Sequence, residues 1–102
     1  MEEVKVIGFT GLETEFEFVA KMNGIWEEFK ASHTPKYTYD RIEDRYYFKL
    51  DSAICSQYSE KSEKYIPYTL SKDELAILYS AMYDCIDWDE VTDWADNFYN
   101  RD

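Results

Sequence analysis

Residues 14–31 read Thr-Glu-Phe-Glu-Phe-Val-Ala-Lys-Met-Asn-Gly-Ile-Trp-Glu-Glu-Phe-Lys-Ala, and the way this stretch folds decides the class of the whole chain. Asn23-Gly24 is the strongest short hairpin signal, because a two-residue turn with positive φ at both central positions suits Asn and Gly. Folding about it sets Met22 against Ile25, Ala20 against Glu27, Phe18 against Phe29 and Phe16 against Ala31. Those pairs form one mostly apolar face. The other face sets Lys21 against Trp26 and Glu17 against Lys30, both favourable cross-strand combinations. A helix competes for the same residues: Phe18, Met22, Ile25, Trp26 and Phe29 also recur at helical spacing, and Thr14 with Glu17 matches a capping box. Asn and Gly in mid-helix weigh against it, the glycine alone by about 1 kcal/mol. Residues 14–31 are therefore expected to form a hairpin.

Before it, residues 4–9 are rich in β-branched side chains and read as a strand. After it, a second hairpin folds about Glu43-Asp44, setting Arg41, Tyr39 and Tyr37 opposite Tyr46, Phe48 and Leu50. Its other face pairs Thr38 with Lys49 and Lys36 with Asp51; the turn lacks Gly and Asn, which leaves its type open. Residues 52–66, with Ser, Glu and Lys alternating from 59 to 64, read as a solvated loop. Then the period changes. Ser71 and Glu74 form a capping box that opens a helix to about Cys85, with Leu75, Leu78, Tyr79, Met82 and Ile86 on one face. Asp87 and Glu90 repeat the pattern, and a second helix carries Val91, Trp94, Ala95 and Phe98 as its buried stripe. Strands first and helices last predict an α+β fold, an antiparallel sheet of one strand plus two hairpins packed by a C-terminal helical pair. The chain reads as one domain over 1–102: β-rich to about 51, loop over 52–70, helical over 71–100.

Apolar residues make up 45% of the sequence, enough for a core. Ten tyrosines cannot all be interior, since each buried hydroxyl needs a partner, so several are expected half-exposed, at the core's edge or on a recognition surface. No apolar run approaches a membrane span, and Met1-Glu2-Glu3 has the wrong sign for a secretion leader. Cys55 and Cys85 are too few for a disulfide scaffold and are expected as free thiols in a reducing cytoplasm; a single bridge between loop and helical end is the other arrangement.

The net charge is −11, and its distribution says more than its size. Residues 1–28 carry −5, residues 29–72 carry +2 and residues 73–102 carry −8. From Asp73 to Asn100 there is no Lys or Arg. Such crowding opposes compaction, so fold stability does not call for it. Catalytic readings fail in turn. His33 is the one histidine and neither cysteine has a histidine partner in a motif. Gly8, Gly11 and Gly24 make no phosphate-cradling loop, and zinc spacing and an EF-hand are absent, so neither enzyme, metal nor cofactor is expected. Direct nucleic-acid binding is disfavoured by repulsion. What remains is an acidic helical face: Asp84, Asp87, Asp89, Glu90, Asp93 and Asp96, with Glu13, Glu15, Glu17 and Glu28 of the first hairpin placed to extend it. Acids one helical turn apart rise about 5–6 Å, comparable to phosphate spacing along a nucleic-acid strand. First-turn acids such as Asp73, Glu74, Asp87, Asp89 and Glu90 also serve helix dipoles in any protein; Asp84, Asp93 and Asp96 lack that explanation.

In short length, abundance of Tyr, Asp and Glu, lack of an enzyme motif and the acidic helical end Asp84–Asp96, the chain resembles small acidic inhibitors encoded by phages and mobile elements. These include DNA-mimic anti-restriction and anti-CRISPR proteins. The resemblance lies in composition over the whole chain and rests on no motif. It implies a non-enzymatic inhibitor in the cytoplasm of a bacterial host. Its partner would be a basic nucleic-acid-binding protein, such as a restriction enzyme or a CRISPR effector whose Arg/Lys channel normally holds DNA. The mixed-charge middle departs from the most acidic DNA mimics and implies a narrower footprint. An immunity or antitoxin protein plugging a basic toxin nuclease would use the same electrostatics, and an acidic scaffold or adaptor would share the composition without mimicry. Exposed aromatics leave a homodimer open.

Overall fold

The computed structural model describes residues 1–99. The strands are β1 (Glu3–Ile7), β2 (Glu15–Met22), β3 (Ile25–Ser32), β4 (Lys36–Asp40), β5 (Arg45–Lys49), β6 (Ile54–Ser59) and β7 (Lys64–Tyr68), followed by helices α1 (Lys72–Tyr83) and α2 (Trp88–Tyr99). Five strands form an antiparallel sheet in the order β1-β2-β3-β6-β7, and β4-β5 form a separate two-stranded sheet. This is an α+β fold.

The first hairpin forms in the expected register, with Met22↔Ile25, Phe18↔Phe29 and Phe16↔Ala31 paired. Its turn has φ of 53° at Asn23 and 80° at Gly24, the signs a two-residue turn needs to match strand twist. Phe16, Phe18, Ala20, Phe29 and Ala31 are buried. Phe18 and Phe29 stack with centroids 4.7 Å apart, so the helical alternative for 14–31 loses to a cross-strand core. Lys21 does stand opposite Trp26, but the cation over the indole is Lys5 of β1, 5.2 Å from the centroid.

The second hairpin forms in a register two residues from the expected one. Tyr37 pairs with Phe48, Tyr39 with Tyr46 and Asp40 with Arg45. The Asp40 carboxylate accepts the N–H groups of Ile42 (2.9 Å) and Glu43 (3.2 Å), building a four-residue turn that Asp44 closes at φ 54°. A slip of two keeps every side chain on its face, so Tyr37, Tyr46 and Phe48 still reach the core. Lys36 still bridges to Asp51 at 3.4 Å, the single ion pair among the described residues, although Lys49 is its cross-strand neighbour.

Residues 52–66 are not a solvated loop. They hold β6 and the start of β7, a third hairpin turning through 60–63 with Glu63 at φ 53°. Within β7 the ladder tolerates Pro67. It stands opposite Ser56 on β7, the outermost strand, where a missing N–H costs no ladder bond.

Ser71 caps α1 in a full capping box with Glu74. The Asp87 carboxylate accepts the Glu90 N–H at 3.3 Å to open α2. Leu78, Met82, Val91 and Ala95 are buried in one cluster with the sheet residues above, whereas Phe98, expected in that stripe, is 54% exposed and stacks on Trp94. The protein measures 51 × 23 × 20 Å. Each 12-residue helix is about 18 Å long and cannot cover that length. The consequence shows at the hairpin ends, where Ile25 and Ile66 lie on the helix side by register yet are 62% and 45% exposed.

Candidate acidic interface

Asp84, Asp87, Asp89, Glu90, Asp93 and Asp96 are all exposed on the helical layer. With Val91 and Ala95 buried, a period of 3.6 residues puts Asp89, Asp93 and Asp96 together on the opposite side of α2. Asp84 ends α1, and Asp87 opens α2 three residues later, so both lie in the connecting turn. Neither helix has a basic residue in its last turn. Among the described residues, none of these carboxylates forms an ion pair.

Two of the six have work inside the fold. Asp87 caps α2, and its N–H donates to the Thr10 carbonyl at 2.8 Å, tying the helix start to the β1–β2 loop. Asp96 accepts the Tyr46 hydroxyl at 3.1 Å, linking α2 to β5. The structure thus supplies the internal role for Asp96 that the helix dipole does not. Asp89 and Glu90 occupy the first turn of α2, where the dipole favours them. The Asp84 and Asp93 carboxylates have neither a dipole explanation nor a hydrogen-bond partner among the described residues. Asp84 sits at a helix C-terminus, where negative charge is disfavoured.

Glu15, Glu17 and Glu28 do not extend this surface. Phe16 and Phe18 point into the core beneath the helices, so the alternating Glu15 and Glu17 point away from them, and Glu28 shares their side as the partner of Val19. That open sheet face mixes charges: Glu17 opposes Lys30, Glu3 opposes Lys21, and Lys30 lies 4.4 Å over the Tyr65 ring. Desolvation and the nearby Glu28 and Glu17 carboxylates raise the Tyr65 pKa above its ordinary value. The candidate residues therefore fall into two sets on opposite sides of the sheet. Glu13 belongs to neither. Partial burial would raise its pKa, but its carboxylate accepts from the Thr10 N–H (2.7 Å), the Thr10 hydroxyl (2.8 Å) and the Leu12 N–H (3.2 Å), and the net effect is a lowering.

The tyrosines divide as their hydroxyls demand. Tyr37 and Tyr46 are buried, and Tyr37 donates to the Gly11 carbonyl at 2.7 Å. Tyr79 donates to the Phe48 carbonyl at 2.8 Å, and Tyr68 to Glu74 at 2.7 Å. Cys55 is buried and Cys85 half-buried, both as free thiols, with burial raising both pKa values, that of Cys55 to about 11. Neither is poised as a nucleophile. His33 follows β3, its ring edge-on to Phe9, Phe16 and Phe48, with neither ring nitrogen in a hydrogen bond. Burial pushes its pKa below the ordinary value, while the Glu13 and Thr34 backbones pull it back without meeting hydrogen-bond geometry. Among the described residues, no group of three His, Cys, Asp or Glu side chains is placed to hold a metal ion, and no helix is long and apolar enough to cross a membrane.

Sequence reasoning missed a gap between β3 and β6, walled by Ile25, Trp26, Glu28, Tyr58 and Ile66. The signal was present in part: the Asn23-Gly24 register already placed apolar Ile25 at a hairpin tip, but β6, its distant neighbour, had been read as loop. No protein-family model, curated protein or solved structure matches the chain.

Proposed function

We propose that the protein is a non-enzymatic inhibitor that occupies a basic, nucleic-acid-binding surface of a bacterial defence or nucleic-acid-processing protein. The helical acid face meets that surface, with carboxylates standing in for phosphates. The observation that carries this reading is Asp84 and Asp93: exposed, unpaired and, for Asp84, set against the helix dipole in a segment that carries no lysine or arginine from 73 to 99. Asp89 and Glu90 add to the same surface, while Asp87 and Asp96 contribute charge from atoms already used by the fold. Asp89, Asp93 and Asp96 rise about 6 and 4.5 Å in turn along the axis. On a rigid helix they form a pre-ordered row that needs little reorganisation on binding. Association would be steered by long-range charge and weakened by salt, since a Debye length near 10 Å at 0.1 M screens exposed charges.

The test is displacement of a labelled DNA duplex from a panel of purified restriction and CRISPR effector nucleases at low ionic strength. The wild type should displace DNA from at least one member, and Asp84→Asn, Asp89→Asn and Asp93→Asn together should remove that activity while the thermal unfolding curve is kept. Failure of the wild type against basic nucleases, or equal displacement by the triple variant, would defeat the reading.

A further inference from the structure

The five-stranded sheet is split at one end. β3 and β6 pair only from Phe29↔Gln57 to Ser32↔Ile54, whereas β2–β3 pairing runs on to Met22↔Ile25 and β6–β7 pairing to Ser59↔Lys64. The two hairpin ends therefore diverge and leave a gap of about 690 Å³. Its walls alternate in register: Trp26, Glu28 and Tyr58 belong to the open face, Ile25 and Ile66 to the helix side. The gap passes between strands; it is not a hollow on one face. None of its walls comes from α1 or α2.

Backbone geometry makes one wall adhesive. In a two-residue hairpin the closing pair, here Met22 and Ile25, is hydrogen-bonded, and bonded pairs alternate from there. Trp26 thus directs its N–H and C=O away from β2, into the gap, as does the N–H of Glu28. An unpaired strand edge is a template for another strand. Continuing the β3–β6 register would set Trp26 against Glu60 with Glu28 on the diagonal, two carboxylates drawn together, so the ladder has an electrostatic reason to stop at Phe29. Beyond Gln57, β6 offers just Tyr58 and Ser59, whereas β3 offers the four residues Ile25–Glu28.

We infer that the β3 edge over Ile25–Glu28 takes up an extended, cationic segment of a partner protein as an added strand. The backbone supplies the ladder, and the side chains set the sequence preference. Ile25 and Ile66 receive apolar residues on one side. Glu28 and Glu60, on the other side, receive lysine or arginine, against Lys61 as the single cation in the walls. The same charges repel a second copy of this acidic chain. This docking site is independent of the acid face on α2.

The probe is the blocked hexapeptide Lys-Val-Lys-Val-Lys-Val, added to 15N-labelled protein. Saturating peptide should slow hydrogen exchange at the Trp26 and Glu28 amides at least tenfold, in unmodified protein. Of two peptides N-methylated at alternate residues, one in each phase, at least one should fail to bind, and the Glu-Val-Glu-Val-Glu-Val peptide should not bind. Glu28→Lys with Glu60→Lys should weaken the probe at least tenfold. The Asp84, Asp89 and Asp93 triple variant should bind it as tightly as the wild type, so this site and the helical face can fail separately. Unchanged exchange at Trp26 and Glu28, or undiminished binding of both N-methylated peptides, overturns the proposal.

Discussion

Gly11 lies where the β1–β2 loop, β4 and α2 meet, and replacing it with alanine tests that junction directly. Its φ is +122°, a region closed to most L side chains. A Cβ added there would stand 2.6 Å from Val91 Cγ2, 2.8 Å from the Tyr37 hydroxyl and 3.3 Å from Ile86 Cγ2. Val91 is fully buried and Tyr37 nearly so, which leaves little room to yield. Three costs combine in Gly11→Ala: backbone strain of about 1–3 kcal/mol, overpacking of about 1–3 kcal/mol, and about 1–3 kcal/mol if the buried Tyr37 hydroxyl is pushed off the Gly11 carbonyl. Because one backbone shift relieves part of each, the expected total is about 3–5 kcal/mol, a large share of the roughly 5–15 kcal/mol typical of a domain. Gly8→Ala is the control, since Gly8 has φ +75° with nothing within 4 Å of the added atom. It should cost about 1–2 kcal/mol from backbone conformation alone. Urea unfolding read at constant m separates the two, and in a thermal melt each kcal/mol moves Tm by about 4–8 °C. Tyr37→Phe should cost less in the Gly11→Ala background than in the wild type, because the hydrogen bond is already lost there. If Gly11→Ala is no worse than Gly8→Ala, the tight junction described here is wrong.

The folded pKa of His33 lies below its ordinary 6.5, so between those values the unfolded chain binds more protons than the native one. Stability is then full above about 6.5 and is lost as pH falls through the lowered folded value; denaturation midpoints across that window should show the slope, and His33→Phe should abolish it. For Glu74, partial burial raises the pKa, but the Ser71 N–H, the Tyr68 hydroxyl and the Ser71 hydroxyl outweigh it and lower the net value. Its contribution is therefore complete above 4.5 and disappears as pH drops below that; Glu74→Gln should flatten the acid limb of the stability profile, with Tyr68→Phe flattening it partly. The same hydrogen bond pushes the Tyr68 phenol up to about 12, a titration that Glu74→Gln should shift back toward the usual tyrosine range.

The acid face was legible because its residues are neighbours in the chain. Helical periodicity alone groups Asp89, Asp93 and Asp96, and Val91 and Ala95 fix which side is buried. Placing Glu15, Glu17 and Glu28 on that same surface failed for a different reason. Alternation tells which residues share a side of a hairpin, but not which side the helices will cover. The Phe16, Phe18 and Phe29 side took the helices and sent the glutamates to the opposite face. Asp96 looked spare because its partner, Tyr46, is fifty residues away.

Elements whose stabilising contacts are local could be read directly from the chain: the Asn23-Gly24 turn with its register, the Ser71–Glu74 capping box and the anionic stretch that follows. Each depends on bonds between residues a few positions apart, which composition and spacing reveal. The remainder depended on long-range packing. The Asp40 side chain moved the second hairpin by two residues, β6 became a strand because β3 offered it an edge across the inserted β4–β5 hairpin, and the acids were sorted to opposite sides of the sheet. Those outcomes turn on which surfaces meet after loops close, and burying the phenylalanine-rich face beneath α1 and α2 outweighs local preference.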